Sequence, residues 1–248
     1  MRLPPILLTS SVIAMDSSVV LKSQESRIFH TLESIGKWGE ISPNNQFVIC
    51  DGSGFDFSPL LKEHFPNLNI ESIYFMNDGD LIKKHGKGYG EGEIIRYALE
   101  HSQFLQKTDW FVKCTAKLWV NNFMSCLKQW NGEFVCKAFF ANVFSFKTTS
   151  LEYIDTRFYI SKKSFYLAHF SAAYKALGVD NGSSIEEEFL KVVRNLALKK
   201  YMFSNPPIIS GVGGGSGKYY NTSTMRQFKE MLRTKLVMCN SKFRKLFI

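Results

Sequence analysis

Lys87-Gly88-Tyr89-Gly90-Glu91-Gly92 alternates glycines with charged and aromatic residues, and Ile94, Ile95, Ala98 and Leu99 follow at helical spacing. Glycine lets a backbone bend sharply and approach a ligand with no Cβ in the way. A helix that starts from such a turn presents unpaired N–H groups to an anion. Phosphate binding is the chemistry this stretch suggests; a tight turn that merely starts a helix is the plain alternative. Other polar candidates stand directly after apolar runs. Thr9 and Ser10 follow Ile6-Leu7-Leu8, Asp51 follows Phe47-Val48-Ile49-Cys50, and Asp78 lies just beyond Met76. Lys113, Thr115 and Lys117 close the run that begins at Trp110.

These runs read as strands and the stretches between them as helices. Residues 6–12, 47–50, 70–76 and 110–114 are short and apolar. Between them, residues 23–36 set Ile28, Leu32 and Ile35 on one helical face, and Leu60, Leu61 and Phe65 suggest a shorter helix. Alternating strand and helix predicts an α/β protein with one Rossmann-like domain and a mostly parallel central sheet. Ligands of such sheets bind outside the carboxyl ends of the strands, where the polar residues above would gather. Further along, residues 133–146 and 155–160 read as strands and 165–177 as a helix. Ser183 or Ser184 is placed to cap another helix, with Glu186 or Glu187 closing a capping box. Residues 211–217 form a glycine and serine loop without the spacing of a P-loop.

A formal charge of +9 implies attraction to something anionic: nucleotide phosphates, an anionic membrane surface or nucleic acid. A hydrophobic content of 45% excludes general disorder. Five cysteines without paired spacing point to a reducing compartment and away from a zinc site. Pro4 and Pro5 interrupt the first apolar stretch, and no run reaches about 18 apolar residues, so the expectation is a cytoplasmic chain with neither leader nor span. Residues 1–220 are expected to form the main domain and 221–248 a basic helical tail. That tail sets Met225, Phe228, Leu232 and Leu236 on one side and Arg226, Lys229, Arg233 and Lys235 around the rest. It would either lie on the inner face of the cytoplasmic membrane, against anionic lipid, or pack as a terminal helix with a solvated face.

The order of these pieces resembles the glycosyltransferase A fold, in particular small bacterial enzymes that build lipopolysaccharide, O-antigen or capsule. Residues 6–12, 23–36, 47–51, 87–101 and 110–117 carry the resemblance. It implies transfer of a sugar from a nucleotide-sugar donor to a hydroxyl of a glycan or lipid-linked acceptor. It also implies that Asp51, Thr9 and Ser10 meet the nucleotide, and that Lys87, Gly88 and Gly90 form a turn against the donor. Lys113, Thr115 and Lys117 would meet phosphate or sugar, and Glu91 the sugar hydroxyls. One departure stands out. Where the family has a metal-binding Asp-x-Asp after the fourth strand, this chain has Lys113-Cys114-Thr115-Ala116-Lys117.

Lysine at that place would neutralise the diphosphate directly, without Mn²⁺ or Mg²⁺. Asp78-Gly79-Asp80 supplies an Asp-x-Asp one element early; Asp78 and Asp80 are the metal candidates if the enzyme uses one, and otherwise a turn. An inverting transfer needs a carboxylate to take the acceptor proton. Asp155 is the first candidate, with Arg157 beside it as its partner or a phosphate ligand, followed by Glu187 and Glu186. The alternative function is a non-catalytic basic α/β module for nucleic acid or anionic membrane, against which stands the lack of a recognised nucleic-acid motif.

Overall fold

Ile6, Leu7 and Leu8 are fully buried, so the first strand needs neighbours on both edges and layers on both faces. The computed structural model, which describes residues 3–178, 183–197, 200–220 and 223–247, supplies both. The chain opens with β1 (Ile6–Ser10), α1 (Gln24–Ile41), β2 (Gln46–Asp51), α2 (Ser58–His64) and β3 (Asn69–Tyr74). Helices α3 (Gly79–His85), α4 (Lys87–His101) and α5 (Gln103–Gln106) lead into β4 (Trp110–Thr115). Next come β5 (Leu118–Val120), α6 (Phe123–Leu127), β6 (Phe134–Ala141), β7 (Ser150–Lys162) and α7 (Lys163–His169). A 3₁₀ turn at Ala173–Ala176 precedes α8 (Ile185–Asn195), β8 (Ile209–Val212), β9 (Tyr219–Tyr220) and α9 (Thr224–Cys239).

The main sheet runs β3-β2-β1-β4-β7-β6. Strands β1 to β4 pair in parallel, while β7 runs against both β4 and β6. This is the mostly parallel α/β sheet that the sequence pattern predicts. Because β2 and β4 lie on opposite sides of β1, the carboxyl ends of β1 and β4 form the topological switch point. Alternation along β1 sends Leu7 to the core beneath α4 and α8, and Ile6 and Leu8 to the core beneath α1 and α6. A small sheet, β5-β8-β9, continues from the end of β4.

The expected glycine-rich turn at residues 88–92 is helix instead. The turn is one residue, Gly86, with φ +81°, and α4 begins directly after it. Gly88, Gly90 and Gly92 lie inside this helix, where their neighbours leave no room for a Cβ. One added at Gly92 would lie 2.3 Å from Tyr174, one at Gly90 2.7 Å from Ile82, and one at Gly88 3.0 Å from Ile185. The glycines therefore let α3, the 3₁₀ turn and α8 close onto the start of α4.

Other boundaries shift for similar reasons. α1 runs on to Ile41, since Gly36 and Gly39 face Phe65 and Leu68 and Trp38 is fully buried. The helix expected over 165–177 breaks into α7 and the 3₁₀ turn. Beyond α9 the chain returns to the body: Met202 N–H donates to Leu246 O at 2.7 Å, and Phe243 and Phe247 pack on Phe140.

Gly92→Ala tests the packing role. Alanine is the better helix former by about 1 kcal/mol, yet crowding Tyr174 should lower stability by roughly 1–3 kcal/mol. Urea unfolding would read this directly, and an unchanged or raised midpoint would show that Tyr174 yields freely.

Candidate functional site

The switch point opens on a cleft of about 750 Å³, within the size range of small-molecule sites. Its floor is set by a lysine that the sheet's alternation points inward. Lys113 shares the α4-facing side of β4 with Phe111 and is fully buried. Its ammonium donates to Glu91 Oε1 at 2.5 Å, to the Thr156 carbonyl at 2.7 Å and to Thr115 Oγ1 at 3.3 Å. Glu91 Oε1 also accepts from Thr9 Oγ1 at 3.1 Å. One carboxylate in the early part of α4 thus joins β1 and β4, and through Lys113 reaches β7. Lys113 does not reach the cleft wall.

Above this floor lie cations of another kind. Lys117 sits between β4 and β5, where its carbonyl accepts from Val212 N at 3.0 Å. Gly211, with φ +106°, permits the approach, since a Cβ there would lie 2.2 Å from that carbonyl. The Lys117 side chain is almost wholly enclosed, lines the cleft, and has no hydrogen-bond or ion-pair partner among the described residues. Burial first, and then the nearby Arg27 charge, push its pKa down to about 7. Arg27, from α1, donates to Ser11 O at 2.6 Å and Leu21 O at 2.8 Å, and burial lowers its pKa too.

The β8–β9 hairpin crosses these cations through its glycines. A Cβ on Gly214 would meet Lys117 Cε at 2.9 Å and Arg27 Nη1 at 3.7 Å; one on Gly215 would meet Lys87 Nζ at 2.5 Å. Hydrogen bonds from Val20 N to Gly215 O and from Leu21 N to Gly214 O hold this strap down. Enclosed Lys117 and Arg27, with exposed Lys87 beyond them, make this part of the wall cationic, and such clusters mark sites that take an anion.

Carboxylates occupy another part of the wall. Asp155, nearly buried, accepts from Arg157 Nε at 2.7 Å and Nη2 at 2.6 Å. Burial alone would raise its pKa, but Arg157 more than offsets this and holds it below the usual range. The Arg157 guanidinium in turn lies 4.9 Å from the centre of the Tyr220 ring. Glu186, in the first turn of α8, accepts from Thr156 Oγ1 at 3.2 Å.

Of the residues expected at the site, Thr9, Ser10, Glu91, Thr115 and Lys117 share the cleft wall with Lys87, Gly88, Gly90, Asp155, Arg157 and Glu186. Others have different positions. Asp51 is fully buried and accepts from Val12 N, Ser53 N and Ser53 Oγ, tying the exits of β1 and β2 together. Glu187 closes the capping box with Ser184 and is exposed. Asp78 caps α3 by accepting from Asp80 N and Leu81 N, while exposed Asp80 pairs with Lys83 at 3.1 Å.

Asp78 and Asp80 therefore do not fit a metal site serving the cleft. Neither lies on its wall, and among the described residues no group of three or more His, Cys, Asp or Glu gathers. Cys50, Cys114, Cys126 and Cys136 are buried, with thiols raised by burial, which makes them poor nucleophiles. Sequence reasoning missed Arg27 and the glycine strap. Arg27 continues the buried stripe Thr31, Ser34, Ile35 and Trp38 backward by one turn, a spacing that would have placed it inside.

No protein-family model matches the sequence, and no curated protein matches it. Among solved structures, the chain is similar to the inositol-1-phosphate CTP transferase from T. maritima at 13% identity, over 95% of this chain and 96% of that one, with a TM-score of 0.49. It is similar to the galactosyltransferase LgtC, solved with donor and acceptor sugar analogues, at 7% identity, over 76% and 70%, with a TM-score of 0.46. A glycosyltransferase involved in the glycosylation of the major capsid of PBCV-1 is 12% identical over 79% and 77%, with a TM-score of 0.42. Likeness at this level assigns no activity.

The two buried lysines predict opposite behaviour. Glu91→Gln leaves the Lys113 charge sealed in the sheet and should cost about 3–5 kcal/mol. Lys113→Met leaves Glu91 facing the cleft and its water, and should cost less; denaturant unfolding of both variants checks the order. Lys117→Met should instead stabilise the unliganded protein at pH 7. Because the native Lys117 pKa lies below its unfolded value, the unfolded chain binds more protons between them, and wild-type stability rises with pH from about 7 toward 10. The gain from Lys117→Met should accordingly shrink by pH 9 in thermal unfolding. A loss of stability at pH 7 would show that Lys117 is structural.

Proposed function

We propose that this chain is a glycosyltransferase of the glycosyltransferase A type, moving a sugar from a nucleotide-sugar donor to a hydroxyl of a glycan or lipid-linked acceptor without a divalent ion. The reading rests on the convergence of Lys117, Arg27 and Lys87 under a glycine strap at the switch point. Hydroxyls and carboxylates suited to a sugar or ribose, from Thr9, Ser10, Thr115 and Glu91, share the same wall. In the transfer, the acceptor oxygen attacks C1 while the bond from C1 to the donor's phosphate oxygen breaks. The electron pair leaves on that oxygen, where Lys117 and Arg27 oppose the growing charge. The acceptor proton goes to a carboxylate. Glu186 suits this task better than Asp155, whose oxygens are both held by Arg157 and whose lowered pKa makes it a weak base.

Thermal unfolding against UDP-, GDP-, CMP- and dTDP-sugars in excess EDTA provides the test, since a ligand selective for the folded state raises its stability. One donor class should raise the midpoint, and Lys117→Met should abolish that shift. Glu186→Gln should keep the shift and lower turnover by roughly 10²–10⁴-fold. No shift with any donor overturns the reading, and a shift that appears only with added Mn²⁺ overturns its metal-free part.

A further inference from the structure

α9 is turned inside out. Its inward positions are Gln227, Glu230, Thr234 and Val237, of which Val237 is buried and Glu230 pairs with Lys137 of β6 at 2.7 Å. Its exposed apolar stripe is Met225, Phe228 and Leu232, at 64%, 55% and 41%, with Phe228 also bordering a groove that Pro206 and Tyr220 line. A terminal helix that packed on the body would show the reverse, with these side chains covered. Lys229 and Arg233 flank the stripe on one side and Lys235 on the other, all exposed. The helix's acid, Glu230, faces inward, where Lys137 and, at 3.9 Å, Arg233 share it. The outer face is therefore apolar along its middle and cationic along its borders.

A second exposed apolar group adjoins this helix. The loop between β6 and β7 carries Phe144 and Phe146, exposed by 74% and 55%, and Asn240 at the end of α9 donates to Phe146 O at 3.2 Å. We infer that α9, with this loop beside it, seats the protein on the surface of an anionic lipid bilayer, apolar stripe down and lysines at the headgroups. An apolar stripe bordered by cations matches such a surface, where each basic residue adds attraction and the apolar side chains enter the headgroup boundary. A second copy of the chain fits poorly, since pairing the same face would set lysine against lysine. Among the described residues no helix is long and apolar enough to cross a membrane, so contact by this helix would be interfacial. The inference does not depend on the chemistry proposed for the cleft.

The test is sedimentation with phosphatidylcholine vesicles and with 70:30 phosphatidylcholine:phosphatidylglycerol vesicles, the latter at low and high salt, in parallel with sedimentation velocity of the free protein. The full chain should pellet with the anionic vesicles, weakly or not at all with the neutral ones, and less in high salt. Phe228→Ser combined with Leu232→Ser, and separately Lys229→Gln combined with Lys235→Gln, should each lower the partition constant about tenfold or more. These side chains are exposed, so the variants should keep the wild-type unfolding midpoint. The inference is overturned by failure to bind the anionic vesicles, by equal binding of folded variants, or by a wild-type dimer that Phe228→Ser with Leu232→Ser dissolves.

Discussion

Lys113 brings a full charge into the middle of the sheet, and the cleft is arranged around the carboxylate that answers it. Sealing an unpaired ammonium between layers would cost several kcal/mol. Glu91 can meet it only if α4 lies close over β1 and β4. The glycines at 88, 90 and 92 act on the helix's other sides, where Ile185, Ile82 and Tyr174 press against its backbone. The ion pair fixes the helix on the sheet, and the glycines let α3, the 3₁₀ turn and α8 close around its start, where Lys87, Gly88 and Gly90 line the cleft.

The reversed strand contributes in the same way. Because β7 runs against β4, residues before its pairing with Cys114 lie beside the carboxyl end of β4. Thr156 can then give its carbonyl to Lys113 and its hydroxyl to Glu186, so that floor and wall share one residue. A parallel strand would have presented its own carboxyl end there, with Ser161 and Lys162 in place of Asp155, Thr156 and Arg157. The bidentate pair of buried Asp155 with half-buried Arg157 stiffens this edge and stacks it on Tyr220 of β9.

Much of the architecture is legible in the sequence because the strands that build it are short apolar runs with polar ends. Ile6-Leu7-Leu8 and Phe47-Val48-Ile49-Cys50 announce buried parallel strands, and Ser184 with Glu187 announces the start of α8 by a local rule. What the sequence conceals is the difference between polar residues that look alike in a string. Asp51 and Lys113 both stand at strand ends, yet one closes two loops and the other supports a helix. Hydrogen-bond partners separate them from Lys117, which is equally buried but lines the cleft, and partners depend on which neighbours the fold assembles. The glycines beginning at 88 mislead for a related reason: glycine permits a turn, but it also permits contact, and neighbours such as Ile185 and Tyr174, far along the chain, decide which.

The electrostatics of the cleft follow from where counter-charges are placed. Asp51 attracts both Arg27 and Lys117, the latter together with Glu91, but its oxygens are engaged by backbone and hydroxyl donors at the strand exits. It supports the cations from behind without neutralising them. Lys113, by contrast, is neutralised by direct contact. The protein thus treats two enclosed lysines on neighbouring turns of chain in opposite ways, pairing the one that must hold the scaffold and leaving the other to face the cleft. An anion arriving at Lys117 would favour its protonated form, so that binding there would be linked to proton uptake.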